Sequence, residues 1–103
     1  MFKGIYIYTK LFKKKNVNSI LPDLKDKNII DLGCGTGRFS FLFEGMKPKS
    51  IVGIDLSEKM IELGINSAKS KNSIVRFVHG SIEDLSQIKS EGVDFIFSST
   101  TLH

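Results

Sequence analysis

Two carboxylates and three glycines are the residues here whose types and spacing could do chemistry. The run Ile29-Ile30-Asp31-Leu32-Gly33-Cys34-Gly35-Thr36-Gly37 ends an apolar stretch in an acid, then turns through glycine at every second position. Eighteen residues beyond Gly37 stands Asp55, at the end of a second apolar run, Ile51-Val52-Gly53-Ile54. Glycines without a Cβ let the backbone come close to a ligand. Strand, glycine loop, helix, strand, acid is an arrangement that holds a nucleotide at the end of an α/β sheet.

The loop narrows the choice of nucleotide. A dinucleotide site has a third glycine where this chain has Arg38, so that fingerprint fails. A phosphate-binding P-loop needs Gly-Lys-Ser/Thr, whereas Gly37 is followed by Arg38-Phe39. An aspartate just before the loop repels a pyrophosphate and favours a ligand with positive charge. S-adenosylmethionine has a sulfonium, an ammonium, a single carboxylate and no phosphate.

The elements that must position these groups are legible from periodicity. Ile29–Leu32 is a short continuous apolar run, as in a parallel strand buried on both faces. A helix opens at Gly37, with Phe39, Leu42, Phe43 and Met46 at i, i+3, i+4 and i+7 as its core stripe. Ile51–Asp55 is the second strand. Ser57 is a good N-cap and Glu58 suits the positive end of the helix that follows. That helix is expected to turn Met60, Leu63, Gly64 and Ala68 inward, with Gly64 permitting close packing on the sheet. Ile74–Val78 is a third strand, which Arg76 marks as an edge. A turn and short helix over 80–92 lead to a fourth strand, Val93–Phe97. In the N-terminal segment, 1–27, Ile5, Tyr8, Leu11 and Phe12 fit one face of a helix over 5–20, which Pro22 ends. The expected architecture is α/β: a Rossmann-like, doubly wound parallel sheet of about four strands in the order 3-2-1-4, with an N-terminal helix.

Composition bounds the function. At 103 residues the chain is one domain at most, with 41% hydrophobic and 25% charged residues, ordinary for a soluble protein. No apolar run approaches the ~20 residues that span a bilayer, and the N-terminus has no signal-peptide pattern, so no membrane association and a cytoplasmic location are expected. One cysteine excludes an internal disulfide, and with two histidines it makes no zinc site at a recognised spacing. Residues 1–27 hold seven lysines and two aspartates, and Lys13-Lys14-Lys15 is the densest patch. It is read as a solvated helix face. With 13 lysines to two arginines, a dedicated nucleic-acid surface is not expected.

Asp31-Leu32-Gly33-Cys34-Gly35-Thr36-Gly37 resembles the first motif of class I S-adenosylmethionine-dependent methyltransferases. Val52-Gly53-Ile54-Asp55-Leu56-Ser57-Glu58-Lys59-Met60 resembles the second, and Phe77-Val78-His79-Gly80-Ser81-Ile82-Glu83-Asp84-Leu85 the third. Val93 to Ser98 with Leu102-His103 resembles the strand-four motif of the small-molecule branch, similar to methyltransferase types 11 and 25. The resemblance covers the chain from about residue 26. It implies a cofactor-binding domain over 28–103 and a small-molecule methyl acceptor. It implies that Asp31, Gly33 and Gly35, in a loop completed by Cys34 and Gly37, line the methionine part of S-adenosylmethionine. Asp55 is then the acceptor for both ribose hydroxyls, and Leu56 packs on the adenine. Ser81 stands where the family usually has an aspartate for the adenine amine, so weaker adenine holding is implied. Ile82 offers a backbone N–H and an apolar side chain to the ring, and Ser98 begins the loop under the methyl donor. No metal and no particular catalytic residue are implied. Cys34 reads as a small residue filling a tight turn rather than a reactive thiol, and terminal His103 as frayed rather than as a base.

The family fold has seven strands in the order 3-2-1-4-5-7-6, and four are expected here. The chain then reads as a truncated cofactor-binding half. The Phe95-Ile96-Phe97 edge is expected to lie open, available to a second copy or a partner chain. The alternatives are a methyltransferase completed by such pairing, and a non-catalytic half-domain that binds S-adenosylmethionine or pairs through strand four.

Overall fold

A computed structural model describes residues 7–8, 23–81 and 92–98. Its elements in chain order are β1 (Ile7–Tyr8), β2 (Asn28–Leu32), α1 (Arg38–Glu44), β3 (Ser50–Asp55), α2 (Glu58–Lys71), β4 (Arg76–His79) and β5 (Phe95–Ser98). All pairings are parallel and the sheet order is β1-β5-β2-β3-β4. The four strands read from sequence are therefore present in the order 3-2-1-4.

A fifth strand lies beside them. Ile7 pairs with Ile96 and Tyr8 with Phe97. This corrects two expectations: residues 7 and 8 are extended rather than helical, and the edge of β5 is paired rather than open. Apolar groups at three-residue spacing fit a helix locally, but an unpaired buried strand edge offers backbone hydrogen bonds that local periodicity does not register. The rest of the expected helix over 5–20 lies outside the described residues, as do Lys13 to Lys15, the short helix within 80–92, and His103.

The central strands are buried because both sheet faces are covered. Ile29, Ile51, Phe95 and Phe97 pack with Leu24, Val75 and Phe43 of α1, and Phe39, Phe41, Met46 and Phe77 close around them. Ile30, Leu32, Ile54, Val93 and Ile96 form a second cluster with Val52. The alternation along β2 and β5 assigns successive residues to opposite faces, as a pleated strand requires.

The α1 stripe is found as expected except at Leu42, whereas α2 is rotated relative to its expected stripe. In α1 the buried residues are Ser40 and Phe43, while Leu42 is 41% exposed. In α2, Ser57 caps the N-terminus as expected, its hydroxyl accepting from the Met60 N–H at 3.2 Å. Ile61, Gly64 and Ala68 are buried, whereas Met60 and Leu63 are exposed. The reason is Gly64: a Cβ there would lie 2.5 Å from Cε1 of Phe77, so α2 sits down on that ring and the face centred on Gly64 points inward. Beyond α2, Asn72 takes the left-handed conformation that ends the helix.

Candidate functional site

The strand register gathers the candidate residues at one end of the sheet. Leu32 is opposite both Ile54 and Ser98, and Asp55 is opposite His79. The loop after β2, Asp55 closing β3 and Leu56 after it, Ser81 after β4 and Ser98 closing β5 therefore share the carboxyl edge. The chain reverses its order across the sheet between β2 and β5, the place where open parallel sheets bind ligands.

The glycine loop is held by β3. Gly33 and Cys34 both donate backbone N–H groups to the Ile54 carbonyl, at 2.7 and 3.1 Å. Asp55 then binds two backbone donors. Its Oδ2 accepts from Gly35 N–H at 2.8 Å and its Oδ1 from Ser57 N–H at 2.8 Å. One carboxylate thus ties the loop to the start of α2 and keeps lone pairs on both oxygens, since each oxygen can accept twice. At Gly35, with φ of 58°, a Cβ would meet nothing within 4 Å, so the backbone borders open space.

Leu56 follows Asp55 and is 70% exposed, an apolar side chain offered to solvent beside a carboxylate. Its backbone is pinned by the His79 ring, whose Nε2 lies 3.0 Å from the Leu56 carbonyl oxygen. Ser81 is half-buried and Ser98 is buried. Ile82 lies outside the described residues.

Asp31 differs from a residue lining an open crevice. It is 0% exposed, and its Oδ2 accepts from the hydroxyl of Ser40, also 0% exposed, at 2.7 Å. Among the described residues its Oδ1 has no hydrogen-bond partner. Burial pushes the Asp31 carboxyl up from 3.8 to about 7; the Ser40 hydrogen bonds pull it back, and the Asp55 charge adds a further push upward. Burial likewise pushes the Cys34 thiol up to about 12, with the charges of Asp31 and Asp55 adding to the effect. Cys34 is a filler, as expected: its Sγ would lie 2.8 Å from a Cβ at Gly53. Ser40 was not singled out by sequence. The signal available was a small polar residue three positions before the buried Phe43, on the face that α1 turns toward the acid.

The Asp31 shift has a consequence for stability. Its folded value lies above its unfolded value, so the folded chain keeps a proton between about pH 4 and pH 7 that the unfolded chain has lost. The resulting stabilisation is complete below about pH 4 and is lost as pH rises through about 7, on the order of 4 kcal/mol in all. Urea denaturation at pH 5 and pH 8 should show lower stability at pH 8, and Asp31→Asn should flatten the difference. An unchanged pH dependence in that variant would remove Asp31 as its source.

The acceptors and apolar surface here fit S-adenosylmethionine. A buried carboxylate oxygen without a donor suits a cationic group, a carboxylate with lone pairs to spare suits a diol, and an exposed leucine suits an aromatic ring. Comparison with known proteins points the same way. The sequence pattern of the family described as "Methyltransferase domain" matches residues 23–103. The chain is 34% identical over 91 residues to the probable S-adenosylmethionine-dependent methyltransferase CRG1 of Saccharomyces cerevisiae, covering 84% of this chain and 31% of that one. It is 43% identical over 47 residues to the ribosomal protein L11 methyltransferase of Haemophilus influenzae, covering 46% of this chain and 16% of that one. A solved S-adenosylmethionine-dependent methyltransferase from Mesorhizobium loti is 27% identical with a TM-score of 0.67, over 84% of this chain and 38% of that one. The chain thus spans between about one sixth and two fifths of the length of these relatives.

Proposed function

Since this chain belongs to the S-adenosylmethionine-dependent methyltransferases, we propose that it supplies the cofactor-binding part of an enzyme that methylates a small molecule. The observation that carries the reading is Asp55, fixed between Gly35 and Ser57 at the carboxyl edge with both oxygens able to accept more. When bound, the cofactor supplies a methyl group on a sulfonium, which a nucleophile displaces in line to leave a neutral thioether.

The chain's own residues have a limited task in such chemistry. Asp55 accepts from the two ribose hydroxyls, with one carboxylate matching two adjacent donors. Leu56 covers one adenine face, and Ser81 and Ile82 meet the ring edge. Gly33, Cys34, Gly35 and Gly37 bring backbone against the methionine part, and Asp31 lends it negative charge. Ser98 borders the methyl donor. A good leaving group asks the protein mainly for alignment of nucleophile and methyl, so no catalytic base is assigned to this chain. The small-molecule acceptor rests on the resemblance of the β5 region to that branch of the family. A cytoplasmic location is part of the same proposal; among the described residues no helix is long and apolar enough to cross a membrane.

A second reading is a half-domain that binds the cofactor without transferring its methyl. Calorimetric titration of the full chain with S-adenosylmethionine tests both. One-to-one binding is expected. No heat from folded protein would overturn both readings, and binding without turnover of any offered small acceptor would favour the second.

A further inference from the structure

The carbonyls at the junction of β3 and α2 are held by two kinds of donor. That of Ile54 accepts from the backbone N–H groups of Gly33 and Cys34, and that of Asp55 from Gly80 N–H at 3.0 Å. That of Ser57 accepts from Ile61 N–H at 3.1 Å, where the α2 ladder starts. Backbone donors of this kind are present whatever the side chain. Leu56 falls between the two ladders, because β3 ends at Asp55 and α2 begins at Glu58. Its carbonyl is met by a side chain instead, with Nε2 of His79 at 3.0 Å. A carbonyl only accepts, so Nε2 carries the hydrogen. His79 closes β4 as the register partner of Asp55, which brings its ring beside the turn.

The Leu56 side chain is 70% exposed, the highest value among the large apolar side chains described, and it belongs to neither apolar cluster. Packing therefore does not fix where it stands; its backbone does. The His79 bond is exposed as well, and such a bond exchanges with bonds to water and contributes little to the fold. What it supplies is position.

We infer that His79 is a positioning residue: its Nε2–H holds the Leu56 carbonyl so that the leucine side chain already stands where the adenine of the bound cofactor packs. The inference rests on the S-adenosylmethionine reading above. A surface ordered before binding loses less freedom in the complex, so the bond acts on affinity more than on stability.

The test is calorimetric titration of the full chain with S-adenosylmethionine, beside urea denaturation, for the unaltered chain and two variants. His79→Phe keeps a ring and loses the donor, and His79→Gln returns an N–H on a side chain of similar reach. His79→Phe should weaken binding about three- to tenfold, the effect of one neutral hydrogen bond, with the urea midpoint unchanged. His79→Gln should return affinity to within about twofold of the unaltered chain, since an amide N–H makes a comparable bond. In a Leu56→Ala background, His79→Phe should change affinity by less than about twofold, because a residue that acts through Leu56 then has nothing to place. Should His79→Phe fail to fold, His79→Ala takes its place with the same expectations. Unchanged affinity in His79→Phe, an equal loss in both backgrounds, or a His79→Gln variant as weak as His79→Phe would overturn the inference and leave the cofactor reading standing. No binding by the folded, unaltered chain would overturn the cofactor reading, and this inference with it.

Discussion

Exchanging Asp55 for alanine is expected to weaken binding of S-adenosylmethionine about 100-fold while leaving a folded chain. Two effects combine. The carboxylate accepts from Gly35 N–H and Ser57 N–H, at 2.8 Å each, so its removal releases the glycine loop from the start of α2. In the proposed complex the same two oxygens also accept from the ribose hydroxyls. Hydrogen bonds to a charged group contribute about 1.5–3 kcal/mol each, so losing two ligand bonds, partly offset by water, gives roughly 3 kcal/mol, or about two decades in Kd. Asp55→Asn separates the effects. Its carbonyl oxygen can still accept, but its amide nitrogen cannot accept from a second donor. Calorimetry on both variants, beside urea denaturation, reads affinity and stability independently. An Asp55→Ala affinity within threefold of the unaltered chain would remove Asp55 from the ribose site.

The frame of this site was legible because its determinants are local. Continuous apolar runs at 29–32 and 51–55 mark strands buried on both faces, and β2 and β3 are found there with one added residue each, Asn28 and Ser50. Arg76 announces an edge, and β4 is an edge strand, with Arg76 exposed. The alternating glycines correspond to positive φ angles at 33, 35 and 37. What sequence did not reveal was non-local. Ser40 reads as a polar interruption of a helical stripe until Asp31 is seen against it. Gly64 and Ala68 face inward as read, but the Phe77 ring against Gly64 turns Ile61 inward in place of Met60 and Leu63. The pairing of Ile7 and Tyr8 with β5 joins segments nearly ninety residues apart, and no period within 5–20 encodes it.

Gly37→Ala is expected to cost stability heavily, about 2–5 kcal/mol, whereas Gly35→Ala should cost less stability and act on the cofactor instead. The two positions look alike in sequence, and the structure separates them. Gly37 has φ of 100°, a conformation that L residues rarely adopt. A Cβ there would stand 2.7 Å from Cζ of Phe77 and 2.9 Å from Cε2 of Phe41. Backbone strain of about 1–2 kcal/mol adds to an overpacking cost of about 1–3 kcal/mol. Phe77 cannot easily yield, because the same ring already rests on Gly64, whose own Cβ position lies 2.5 Å from Cε1. Pairing Gly37→Ala with Phe77→Leu should therefore recover the packing part and leave the backbone part. At Gly35, with φ of 58°, nothing lies within 4 Å of the added carbon, so only the backbone strain remains in the free chain. The open space that tolerates that methyl is the space assigned to the methionine part of the cofactor. Urea denaturation should rank Gly37→Ala well below Gly35→Ala in stability. Calorimetry on folded Gly35→Ala should show binding weakened at least tenfold; unchanged affinity would mean that the loop does not touch the cofactor.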